Sequence, residues 1–161
     1  MFCIGQKVLY GANGVCTIEE ITVKHVSKVS MEYYVLKPVD SSTSTLFVPT
    51  ANAALVGKIR EVLTVAQINA ILNDLPADET WIDNKLERTE HFKEIIARAD
   101  SRELVQLIRT IRAHEKEQTD RGKRLHLSDE RLLKEAEKMI GGEFSLVLQI
   151  SPEEVMNRIL S

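Results

Sequence analysis

The sequence predicts an α+β chain in which a small N-terminal β-barrel module precedes a compact all-helical C-terminal domain. Two changes of pattern carry this. Up to Pro49 the apolar residues fall in short runs rich in Val, Ile, Tyr and Thr, whereas from Thr64 onward they recur at helical spacing. Charge marks the joint between them. Residues 61–80 hold four acidic residues and no basic one, while residues 1–60 hold six basic and four acidic, and residues 81–161 fifteen and sixteen. The expected organisation is therefore a β module at 1–60, a helix and acidic linker at 61–80, and a helical domain at 81–161.

In the first module, residues 7–10, 15–23, 33–37 and 45–48 read as strands. Between the first two, GANG at 11–14 offers Asn13 and Gly14, which tolerate the positive φ of a tight hairpin. Residues 24–31 are polar and mixed and suit a second, looser hairpin turn, and DSSTS at 40–44 suits a flexible third. Four or five short strands in about fifty residues cannot build a large sandwich, so a curled, barrel-like sheet of SH3 or Tudor type is the economical arrangement. Such a sheet leaves edge strands, and an edge can take up a partner's strand through backbone hydrogen bonds.

Helix signals follow in order. Thr64 and Gln67 make a capping box, after which Val65, Ile68, Ile71, Leu72 and Leu75 share a face until Pro76. A second start at 78–80 leads into Ile82, Leu86, Phe92 and Ile96, and a third at Asp100 or Ser101, with Glu103 as capping partner, into Leu104, Leu107, Ile108 and Ile111. A fourth helix begins near Ser128 and buries Leu132, Leu133, Ala136, Met139 and Ile140. Gly141 and Gly142 are expected to weaken or kink it, at about 1 kcal/mol per Gly relative to Ala. Ser151, Pro152 and Glu154 open a last short helix.

Composition narrows the function classes. With 21 basic against 24 acidic residues the chain is not a strongly basic nucleic-acid binder, and the one local basic excess is 98–124, with eight basic and five acidic residues. LVLQI at 146–150 is far too short to span a bilayer and the first ten residues lack a leader pattern, so a cytoplasmic chain without membrane contact is expected. Cys3 and Cys16, thirteen residues apart, match no metal spacing. There is no phosphate loop, GxSxG or HExxH, and His25, His91, His114 and His126 are scattered. A Cys16–His25 nucleophilic pair would lack a group to orient the histidine. The expectation is a binding protein with no catalytic role, metal or cofactor, and a monomer.

The order of motifs, FCIGQKVLYGANGVCTIEEI at 2–21, EYYVLKP at 32–38, FVP at 47–49, a downstream Trp, then LVQLIRTI before LLKEAEKMIGGEF at 132–144, resembles the CarD family of bacterial transcription regulators. The resemblance implies a Tudor-like module that docks on the RNA polymerase β subunit and a helical domain that meets promoter DNA at the upstream edge of the bubble, stabilising the open complex. The alternative is a module that docks on polymerase without touching DNA. By the same resemblance Lys24 is a polymerase-binding residue, and Phe47 stands where some members carry a polymerase-contacting arginine. Arg88 and Arg131 match residues that some members direct at DNA phosphates, while the position before Arg88 is Glu87. Trp81, with Lys85 and Arg88 at i+4 and i+7 on one helix face, is a candidate minor-groove wedge. Members with a wedge tryptophan carry it where Lys85 stands here. The other reading of Trp81 is that it opens the core stripe of its helix.

Overall fold

A computed structural model describes residues 2–40 and 43–161. They group into two units, Met1–Val62 and Leu63–Ser161.

In the first unit, alternation places side chains on two faces of a sheet. Strands β1 (Lys7–Tyr10), β2 (Val15–Val26), β3 (Val29–Pro38), β4 (Leu46–Pro49) and β5 (Ile59–Glu61) form an antiparallel sheet in the order β4-β3-β2-β1-β5. One face buries Val8, Cys16, Ile18, Tyr34, Leu36, Val48 and Ile59. The sheet is open, with β4 and β5 as its edges, so the curl anticipated from the short strands stops before closure. Edges of four and three residues offer little ladder with which to close it. A one-turn helix α1 (Ala53–Val56), capped by the Asn52 side chain, precedes β5.

Two of the three expected turns differ from expectation. At the first, Gly11 and Gly14 take positive φ and Asn13 does not, because residues 11–13 form a turn of 3-10 helix. Residues 24–31 are not a loose turn. Strands β2 and β3 continue to Val26 and from Val29, and Ser27 (φ 49°) and Lys28 (φ 69°) alone reverse the chain, both left-handed as a type I′ hairpin requires. The turn expected at 40–44 falls partly on residues 41 and 42, outside the described residues.

The second unit contains α2 (Val65–Asn73), α3 (Lys85–Arg98), α4 (Ser101–Asp120), α5 (Leu127–Leu148) and α6 (Pro152–Leu160). Its core holds Phe92, Ile95 and Ile96 of α3, Leu104, Ile108 and Ile111 of α4, Leu133, Met139, Ile140 and Phe144 of α5, and Val155 and Ile159 of α6. Burying each such side chain stabilises the fold by about 1.5–3 kcal/mol. Helix α5 runs unbroken through Gly141 and Gly142. A Cβ at Gly141 would sit 3.6 Å from Pro152 Cβ, so close packing of α6 occupies the place where a kink was expected. Residues 74–84 form no helix, and the second helical start lies at Asn84, whose Oδ1 accepts from the Glu87 N–H, rather than at 78–80. Leu86, expected to face inward, is 78% exposed. Among the described residues no helix is long and apolar enough to cross a membrane.

Candidate functional site

The register of β2, β3 and β4 brings together residues distant in sequence. Lys24 pairs with Met31, Thr22 with Tyr33, Val26 with Val29, and Val35 with Phe47, and cross-strand partners project from the same side. Lys24 Nζ lies 3.6 Å above the centre of the Phe47 ring, a cation–π contact between the two residues singled out on this module. Tyr33 meets Phe47 edge to face at 6.3 Å, and its hydroxyl donates to Met31 Sδ at 3.8 Å. Val26, Val29, Met31 and Phe47 are all exposed. An aromatic and aliphatic stripe thus surrounds one cation on the face opposite the Tyr34–Val48 core. Sequence reasoning missed Val29, Met31 and Tyr33. Their period-two spacing was the available signal, hidden by the polar residues between them.

On the second unit the structure corrects two assignments. Arg88, expected at DNA phosphates, is 2% exposed. Its Nε and Nη2 donate to Asp129 Oδ1 and Oδ2, each at 3.0 Å, and Nη1 donates to the Ile82 and Asp83 carbonyls at 2.9 and 3.3 Å. That guanidinium has no face left for a phosphate. Trp81 precedes α3, so it does not share a helix face with Lys85 and Arg88. Its ring stacks on His114 at 3.7 Å and 4°, meets Phe92 edge to face at 5.8 Å, and has Arg88 Cζ 4.8 Å from its centre. The indole is half-buried among its own neighbours, which favours the core reading over the wedge.

Desolvation beside this stack holds His114 below its ordinary value near 6.5, against the pull of Glu117. Gln118 Nε2 lies 3.0 Å from His114 Nε2, and an amide nitrogen only donates, so the contact also suits a neutral ring. Lys85 and Arg131 are exposed, as a DNA contact requires. The Arg88–Asp129 pair ties the first turn of α3 to that of α5, so Lys85 and Leu86 share one end of the unit with Leu127 and Arg131. Leu86 and the 62%-exposed Leu127 add apolar surface there. Both helices direct their positive dipole ends to it. Among the described residues no group of three or more His, Cys, Asp or Glu could hold a metal ion.

Residues 2–63 match the family model of the CarD-like/TRCF RID domain. The match falls on the N-terminal unit, which is thus similar to a CarD-like/TRCF RID domain. A RID domain is an RNA-polymerase-interacting, transcription-related module, and the Lys24–Phe47 face belongs to it.

Proposed function

We propose that this chain is a non-enzymatic bacterial transcription regulator of the cytoplasm, whose RID domain docks on the RNA polymerase β subunit and whose helical unit meets promoter DNA at the upstream edge of the bubble, stabilising the open complex. The RID match over residues 2–63 carries the reading. The exposed stripe around Lys24 supports a protein contact, because aromatic and Met side chains with few charges are the composition of an interface centre. DNA contact falls to the end of the helical unit that presents Lys85, Arg131 and Leu86. Two cations there fit weak phosphate binding, with polymerase docking supplying the effective concentration. An apolar Leu86 so exposed is suited to lie against a minor-groove base step.

A second reading, docking on polymerase without DNA contact, is favoured by the inward burial of Arg88 and Trp81. The test is capture of the isolated β subunit by the full chain, followed by open-complex lifetime with and without it. Capture with a longer lifetime and crosslinks from Lys85 to upstream DNA supports the proposal. Capture with a longer lifetime but no crosslink supports the second reading, and failure of capture overturns both.

A further inference from the structure

The acidic joint is laid along α4 as a strap. Asp74 Oδ2 lies 3.6 Å from Arg102 Nη2, Gln106 Nε2 donates to the Ala77 carbonyl at 2.9 Å, and Asp78 Oδ1 lies 3.9 Å from Arg109 Nε. The Glu79 N–H then donates to Thr110 Oγ1 at 2.9 Å, and Trp81 stacks on His114. Positions 102, 106, 109, 110 and 114 climb one face of the helix while the strap climbs in the same direction.

The two ends are held differently. At Trp81 the strap is pinned by ring stacking and by the Arg88 bonds to the Ile82 and Asp83 carbonyls. At Asp74 and Asp78 it rests on two long ion pairs and one amide bond, with the Asp74 side chain 88% exposed. Surface pairs of this kind contribute little and less still in salt.

Along α4, Arg102, Arg109 and Lys116 recur every seven residues, a row about 21 Å long at 1.5 Å per residue, with Arg102 and Arg109 beneath the loose end and Lys116 two residues beyond His114. Arg109 and Lys116 also line a cavity of about 340 Å³ with Ala113, Leu160, Asp78 and Arg112, the last already paired with Glu115 and Glu137. Arg109 Nε is buried without a hydrogen-bond partner, since Asp78 stands beyond hydrogen-bond reach. The Arg109 guanidinium donates from Nη1 to the Ile159 carbonyl and faces the Asp78 carboxylate as a long ion pair, so the acidic segment already supplies the anion that this cation meets.

We propose that this face of α4 is a second phosphate-binding surface for DNA, and that the acidic segment 74–78 is its intramolecular occupant, displaced by the DNA backbone. The inference rests on the reading that the helical unit meets DNA. Displacement exchanges two weak carboxylate contacts for phosphate contacts that release counterions. The strap thereby discourages binding to stray DNA and yields where polymerase holds the promoter close.

The test compares full-length wild type, D74N/D78N and the charge-matched control E135Q/E153Q for binding to a short DNA duplex across a salt series. The strap variant should bind several-fold tighter and with a steeper salt dependence, the control should change far less, and adding R102Q/K116Q should abolish the gain. Equal effects of strap and control variants, or a gain that survives R102Q/K116Q, overturn the strap. Wild-type binding that D74N/D78N leaves unchanged overturns the strap alone, whereas absence of binding by both proteins overturns the DNA reading with it.

Discussion

Arg88 carries a positive charge to a place that water does not reach, and its three nitrogens all find acceptors there. Arg88→Ala would leave the fully buried Asp129 carboxylate without a counter-charge, which destabilises a fold by about 3–5 kcal/mol. Urea unfolding should show a loss of that size, with Arg88→Lys falling between, because an ammonium keeps the charge but not the fork. A loss under about 1 kcal/mol would mean that Asp129 regains water. His114 supplies a pH dependence. Its folded value is depressed, chiefly by desolvation, so the unfolded chain binds the proton more readily. The stability it contributes is complete above its ordinary value near 6.5 and is lost as pH falls through the folded value. Melting temperature should therefore fall as pH drops from about 7 to about 5. His114→Phe, which keeps a ring against Trp81, should flatten that dependence, and an unchanged slope would remove His114 as its source. Neither the burial of Arg88 nor the stacking of His114 was legible from sequence, because each depends on a partner distant along the chain, Asp129 41 positions from Arg88 and Trp81 far from His114.

Helix starts were the most readable elements. Thr64, Asp100 and Ser151 each accept from the backbone N–H three residues on, as their side-chain chemistry dictates. The start of α3 was misplaced because Asp78 and Thr80 imitate a cap while the backbone there bonds elsewhere, the Glu79 N–H to Thr110 and the Ile82 and Asp83 carbonyls to Arg88. The tightness of the β2–β3 hairpin was hidden for the opposite reason. Its turn residues Ser27 and Lys28 adopt left-handed backbone angles without the Asn-Gly chemistry that announces them. Replacing them with Asn-Gly should relieve about 1 kcal/mol of backbone strain and slow hydrogen exchange in residues 22–31. Unchanged exchange would show that the tip frays independently of its turn.

At the scale of the whole molecule, the proposed function assigns polymerase docking to a surface of the first unit and DNA contact to a surface of the second. Lys24→Glu places a carboxylate over the negative face of the Phe47 ring and reverses the charge held there. It should weaken capture of the polymerase β subunit and shorten open-complex lifetime together. Lys85→Glu with Arg131→Glu should leave capture intact and shorten the lifetime alone, with a smaller salt dependence. Loss of capture by the second variant would contradict the division. The sequence by itself determined the fold class, most of the helix caps, and the RID motifs, because periodicity, capping chemistry and motif order are local along the chain. Only the tertiary structure decided which charged and aromatic residues meet the solvent. Strand register set Lys24 over Phe47 and left the stripe uncovered. Helix packing turned Arg88 and Trp81 inward, left Leu86 in water, and laid the acidic joint along α4. The physical reason is that exposure belongs to pairs of surfaces, and a chain read in order carries only one member of each pair at a time.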